Sequence, residues 1–370
     1  MRVVIAPDCF GGTLTAAEAA AAIADGWRRG APDHELVLRP LADGGPGFVE
    51  VLRTALGGAL HTETVTGPLG EPVTATWLGH GGTAYLESAE AAGLHLVPKG
   101  RRAEFCESAT TRGVGELLAA ARDRGFRTAV IGLGGSATTD GGAGMLAALG
   151  AVAVDADGAP LPPGGSALAR CARVEGVADL GGIEELVAAT DVTNPLLGPH
   201  GAAVTFGPQK GADPAAVGRL EAGLARWADA LAAWRKPVAD DDGAGAAGGL
   251  GAAILALGGV RASGAGLVRS ATGLDAAVAG AGLVITGEGS FDWQSLRGKL
   301  VTGVAAAAAE RGVPCLAMAG QASVGRKQAA SVGIEEVHAV AEHVGSVAAA
   351  MADPAGTLAD LAEHVARQWR

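Results

Sequence analysis

One local design recurs through this 370-residue chain and constrains its fold more than any other feature. Short hydrophobic runs stop in glycines beside an aspartate, at residues 7–13, 42–47, 134–142 with 191–195, and 286–295. A β-branched run of four or five residues has the length of a buried strand, and glycines at its end let the backbone turn and present its N–H groups. Parallel sheets bind ligands at the C-termini of such strands. The presented N–H groups suit anions there, above all ahead of a helix. Asp8, Asp43, Asp140, Asp191 and Asp292 then face a ligand. Carboxylates beside anion-binding amides make chemical sense if Mg²⁺ bridges them to phosphate. Any one of these aspartates is as readily a turn or helix cap; five in the same setting point to chemistry.

The segments between the turns supply the layers. Residues 2–5 form a strand, and Thr15 with Glu18 is a capping box ahead of an alanine-rich helix ending near Gly30. A strand at 36–38 and a helix to about Leu56 continue a β-α-β-α order, which calls for a parallel sheet with helical cover. After Gly58 the texture changes. Residues 61–66, 73–78 and 83–88 are short, Thr- and Val-rich, and joined by tight turns, as antiparallel strands are. Helix follows from Thr110 or Thr111, a strand over 128–133, a loop-rich stretch over 151–185, and a strand over 186–190. Asp213 and Pro214 start a long amphipathic helix whose Val217, Leu220, Leu224, Trp227, Leu231 and Trp234 keep one unbroken face. That period assigns the two tryptophans to packing rather than to a ligand platform. The last third returns to strands and helices. The expected fold is α/β: a doubly wound, mostly parallel sheet domain with a second α/β domain inserted. Residues 1–62 and 286–370 form the discontinuous Rossmann-like domain, and 63–285 the inserted one, with antiparallel strands near its start.

Composition narrows the function classes. A net charge of −11 disfavours nucleic acid and anionic membranes as partners. The cysteines at 9, 106, 171 and 315 are too dispersed for a disulfide framework or a zinc site. The first ten residues lack a signal-peptide apolar core, and no apolar tract reaches a membrane span, so a cytoplasmic protein, monomeric or homodimeric, is expected. A P-loop is missing: Gly298 and Lys299 are followed by Leu300. A G-x-G-x-x-G at Gly243, Gly245 and Gly248 follows Asp240, Asp241 and Asp242 instead of a strand, which removes its meaning as a dinucleotide fingerprint.

Longer motifs run in order along nearly the whole chain. They are V-V-I-A-P-D-C-F at 3–10, P-L-A-D-G-G at 40–45, T-G-P-L-G at 66–70 and T-T-R-G-V-G-E at 110–116. G-G-S-A-T-T-D-G-G-A-G-M at 134–145, D-V-T-N-P-L-L-G at 191–198 and F-G-P-Q-K-G at 206–211 follow. G-A-G-A-A-G-G-L-G at 243–251 and T-G-E-G at 286–289 complete the set, with Asp292, Gln294, Ser295, Gly298 and Lys299 behind them. This set resembles the bacterial glycerate kinase family of the two-domain, non-P-loop type. The resemblance implies ATP- and Mg²⁺-dependent phosphorylation of a small hydroxy acid, D-glycerate, with the 2-hydroxyl preferred.

On that footing Asp191 is the expected general base or orienting carboxylate, with Asn194 beside it, and Asp43 and Asp292 are catalytic carboxylates and Mg²⁺ ligands. Gly134, Gly135, Ser136, Thr138, Asp140, Gly287, Gly289 and Lys299 are expected to hold the nucleotide. Asp8, Arg112, Lys210, Gln294 and Ser295 are expected to face the acceptor. The chain departs from the family pattern at these loops. Cys9 stands for a serine, Gly11 for a lysine, Pro46 for a glutamate, Ser290 and Phe291 for an arginine and an isoleucine, and Arg112 is new. Losing a desolvated charge partner costs about 2–5 kcal/mol, and the planar fork of Arg112 could restore a carboxylate clamp. The departures leave two alternatives open: a kinase of the same family acting on another small hydroxylated acceptor, and a catalytically inactive binding homologue.

Overall fold

The computed structural model describes residues 1–293, 295–296 and 300–369. Its strands are β1 (Arg2–Pro7), β2 (Glu35–Leu38), β3 (Ala59–Thr66), β4 (Pro72–His80), β5 (Thr83–Glu87), β6 (Thr128–Gly132), β7 (Ala151–Val154), β8 (Arg173–Gly176), β9 (Glu185–Ala189), β10 (Val260–Ala262), β11 (Leu283–Phe291), β12 (Cys315–Ala322) and β13 (Glu336–Ala339). The chain forms two compact α/β units. The smaller comprises Met1–Asp43, Glu50–Leu56 and Ala265–Arg370; the larger comprises Gly44–Val49 and Gly57–Gly264.

In the smaller unit all strand pairs are parallel, in the order β13-β12-β11-β1-β2. Alternation along the strands explains why both faces carry helices. Val3, Ile5, Leu283, Ile285, Leu316 and Met318 share a core with Ile23 and Trp27 of the helix Ala16–Gly30 and Leu358 and Val365 of the helix Pro354–Ala366. The intervening Val4 and Val284 are fully buried from the opposite side. Each such aliphatic side chain contributes about 1.5–3 kcal/mol by burial. The two helices touch at Gly26, where a Cβ would stand 1.9 Å from the carbonyl oxygen of Ala359. The capping box is formed: Glu18 N donates to Thr15 Oγ1 at 3.2 Å, and Thr15 N to Glu18 Oε2 at 2.8 Å.

The larger unit has a mixed sheet, β10-β9-β6-β5-β4-β3. β3, β4 and β5 pair antiparallel in sequence, and β5, β6, β9 and β10 are parallel. The helix Pro214–Trp234 is capped by Asp213, which accepts from Ala216 N at 2.7 Å, and Leu220, Leu224, Trp227 and Leu231 are buried along it.

Three local expectations change. The loop-rich stretch contains the β7–β8 pair, and β10 is an additional edge strand; both are too short and too rich in turn residues to leave a periodic signal. Gly287 and Gly289, expected in a turn, extend β11 alongside β12. The units also change over at different points from the expected 62/63 and 285/286. β3 pairs with β4 from Ala59 onward, which carries 59–62 into the larger unit. The helix Leu274–Ala279 packs on β1, and β11 pairs with β1 from Leu283, which carries 265–285 into the smaller. No described helix is long and apolar enough to cross a membrane.

Candidate active site

The strand order of the smaller unit reverses between β1 and β11, and ligands of open α/β sheets bind at such a switch point. Asp8 leaves β1 there, its N–H donating to the carbonyl of Gly287 at 2.8 Å, while Leu41 N donates to Pro7 O at 2.9 Å and brings the segment before Asp43 to the same end. Burial, then the charges of Asp43 and Glu288, push the Asp8 carboxyl up to about 7, against the lowering effect of a 2.7 Å bond from Cys9 N. Burial and Asp8 push the Cys9 thiol up to about 12, so it is no nucleophile at neutral pH. Asp292 closes a small turn: its N–H donates to Ser295 Oγ at 3.1 Å, and Ser295 Oγ to Ser290 O at 3.4 Å. Ser295 is fully buried, so its hydroxyl supports Asp292 rather than facing a substrate. Trp293, one residue on, is 58% exposed. Gln294 and Lys299 lie outside the described residues.

The larger unit builds a different structure at the end of β6. Asp140 is buried and spends both oxygens: Oδ2 accepts from Thr111 N at 2.8 Å, Thr111 Oγ1 at 2.9 Å and Gly144 N at 3.2 Å, and Oδ1 from Gly142 N at 3.1 Å. Burial raises its pKa and these bonds oppose the rise. Asp140 therefore pins the loop together from inside instead of meeting a ligand. Lys210 lies beneath the same loop, 3% exposed, its ammonium donating to Thr138 O at 2.5 Å and Ser136 Oγ at 2.9 Å. Burial brings Lys210 down to about 7, with Asp140 acting against the shift. Trp227 donates from Nε1 to Gly141 O at 2.8 Å, so the long helix also braces the loop. Gly248, at φ +69°, packs where a Cβ would stand 1.9 Å from Thr138 O. The 243–249 glycines thus back this loop and are not a dinucleotide site. Gly134 and Gly135 lead into it, Gly135 at φ +64° with its carbonyl accepting from Leu94 N at 2.8 Å.

Asp191 follows β9, exposed, and accepts from Ser263 Oγ at 2.6 Å beyond β10. Asn194 uses its amide nitrogen on His200 O at 2.7 Å, which fixes the loop behind Asp191. Arg112 is paired on its own helix, Nε donating to Glu116 Oε1 at 3.1 Å, and Glu116 in turn accepts from Thr66 N at 2.7 Å. The pair is exposed and is made through Nε. Two acidic residues escaped sequence reading. Glu288 crowds Asp8. Glu87 ends β5, buried, and accepts from Gly47 N at 3.0 Å; burial, then Glu90, push it up to about 8. A carboxylate at the last position of a buried strand was the signal available for Glu87, whereas Glu288 lies inside β11.

Among the described residues no three His, Cys, Asp or Glu side chains make a preformed metal cage. The carboxylates around Asp8 nevertheless suit Mg²⁺, which keeps several waters and takes one or two carboxylates together with phosphate oxygens.

Comparisons with known proteins agree with this picture. Residues 3–370 match the model of the glycerate kinase family. The chain is 42% identical over 357 residues to the glycerate 2-kinase of Escherichia coli K12, covering 94% of this chain and 92% of that one. It is 44% identical over 333 residues to the glycerate kinase of Bacillus subtilis 168, covering 87% and 86%. A crystal structure of a candidate glycerate kinase 2 from Salmonella typhimurium LT2 aligns with a TM-score of 0.78 at 38% identity, over 100% of this chain and 98% of that one.

Proposed function

The chain belongs to the glycerate kinase family, and from that premise we propose that it transfers the γ-phosphoryl group of ATP to the 2-hydroxyl of D-glycerate. The observation that carries this reading is the family match over residues 3–370. The choice of the 2-hydroxyl leans on the likeness to the Escherichia coli glycerate 2-kinase.

The residues then divide the work. Asp191, steadied by Ser263 and by the loop that Asn194 braces, takes or steers the proton of the acceptor hydroxyl. Asp43 and Asp292 are the Mg²⁺ ligands, with Asp8 and Glu288 adding negative charge behind Asp43. Bound Mg²⁺ would offset the charge of the β- and γ-phosphate oxygens. Lys210, buried under Ser136 and Thr138, makes the 134–138 loop electrostatically receptive to an anion without facing it directly. Asp191→Asn should fold normally and lose roughly 10²–10⁴-fold in kcat; a near-wild-type kcat would reduce Asp191 to a turn residue.

A panel of small hydroxy acids with ATP and Mg²⁺, with the product identified by phosphorus NMR, tests the whole reading. 2-Phosphoglycerate from D-glycerate is the expected result; 3-phosphoglycerate overturns the regiochemistry. A second reading, the same phosphotransfer to a different small acceptor, is favoured by the altered charges at Gly11, Pro46 and Ser290. A clear preference for another acid in the panel would establish it.

A further inference from the structure

At the C-terminal ends of β1, β11 and β12 the smaller unit holds a cavity of about 490 Å³. Sites that bury a small organic ligand span roughly 300–1,000 Å³. The lining is of two chemical kinds. Cys9, Thr13, Glu288, Ser290, Asp292 and Gln321 supply its polar part. The aliphatic part is built by Val340 and by Val347, Ala350, Met351 and Leu358 of the C-terminal helices. Val347 and Met351 are 39% and 61% exposed, although they border a concavity rather than a convex surface. Large apolar side chains left open around a cavity mark a ligand that covers them.

Glycerate, three carbons bearing a carboxylate and two hydroxyls, has nothing apolar to lay against that wall. A nucleoside does: a flat, weakly polar base at one end and a ribose carrying phosphates at the other. We propose that this cavity takes the adenosine part of ATP, the base against Val347, Ala350, Met351 and Leu358, and the phosphate-bearing end toward Ser290 and Asp292. The placement rests on the ATP dependence proposed above and adds where the nucleoside is read. Its setting at the switch point of the sheet separates it from the 380 Å³ cavity beside Arg112 in the larger unit, which opens between helices and β7.

Calorimetric titration of the full chain tests it with ADP, adenosine and inorganic pyrophosphate as separate probes. Val347→Ala combined with Met351→Ala trims exposed side chains and leaves the fold intact. This variant should bind ADP and adenosine roughly tenfold more weakly and pyrophosphate as the wild type does. Ala350→Phe, which fills the cavity, should lose adenosine binding while its melting temperature stays within about 4 °C. Unchanged ADP affinity in both variants overturns the placement and leaves ATP dependence standing. Equal losses for adenosine and pyrophosphate overturn it as well, because the wall would then act through the fold and not on the base. A wild-type protein that binds neither ADP nor ATP overturns the nucleotide reading and the placement together.

Discussion

In the larger unit, the loop after β6 answers its buried charges from within. Asp140 receives four hydrogen bonds, and Lys210 gives two to the same loop. At the switch point of the smaller unit, Asp8 is pressed by burial and by two further carboxylates. A satisfied buried network keeps its shape without a ligand. Crowded carboxylates stay strained until protons or a cation relieve them. The first loop is thus a prebuilt scaffold, whereas the second is a place where binding and stability are coupled.

Breaking the scaffold gives the largest expected effect. Asp140→Ala strands the N–H groups of Thr111, Gly142 and Gly144 and leaves Lys210 without its nearest opposing charge. A loss of about 3–5 kcal/mol in urea unfolding follows; a change under about 1 kcal/mol would show that the network is decoration.

The pH dependence of stability should run in opposite directions for the two regions. Lys210 sits near 7 in the folded chain against an ordinary 10.5. The unfolded chain therefore binds more protons between those values, and stability rises with pH across that window. Asp8 stands near 7 against an ordinary 3.8, so the folded chain binds more protons and stability falls as pH rises from about 4 to about 7. Lys210→Met should remove the alkaline rise, on the order of 1–3 kcal/mol, and leave the acidic fall in place. Unfolding curves from pH 4 to 10 decide this, and an unchanged alkaline limb would be the contrary result.

Mg²⁺ should act on the crowded region alone. Added Mg²⁺ should raise the melting temperature of the wild type by a few degrees and that of Asp43→Asn much less. Equal shifts in both proteins would move the cation elsewhere. The smallest effect belongs to Cys9→Ser. With its thiol held near 12, Cys9 offers only volume, and kcat/KM should change by less than about tenfold.

Much of the architecture was legible because it is local. The capping box at Thr15, the period of the helix from Pro214 and the strand–glycine junctions each follow from a few adjacent residues. The site was harder, because Asp140 and Asp191 both follow parallel strands in glycine- or turn-rich loops, yet one is buried and the other exposed. Asp140 is sealed by Thr111, 29 residues earlier, while Asp191 stays exposed and meets Ser263, 72 residues later. Lys210 read as an accessible cation because nothing beside it reveals that the 134–138 loop lies on top. The pairing of Arg112 with Glu116, one turn along the same helix, follows from i,i+4 spacing and was within reach of the sequence.

The placement of the tryptophans has an optical consequence. Trp27, Trp77 and Trp227 are sealed in cores and Trp234 and Trp369 are half-buried, while Trp293 is the most exposed, one residue from Asp292. Hydrated indoles emit at longer wavelengths than buried ones, so the red edge of the intrinsic fluorescence belongs chiefly to Trp293. Its neighbours in the chain are the residues assigned to cation and phosphate. An unlabelled sample therefore carries two separable signals, one following occupancy of that loop and the other the integrity of the cores.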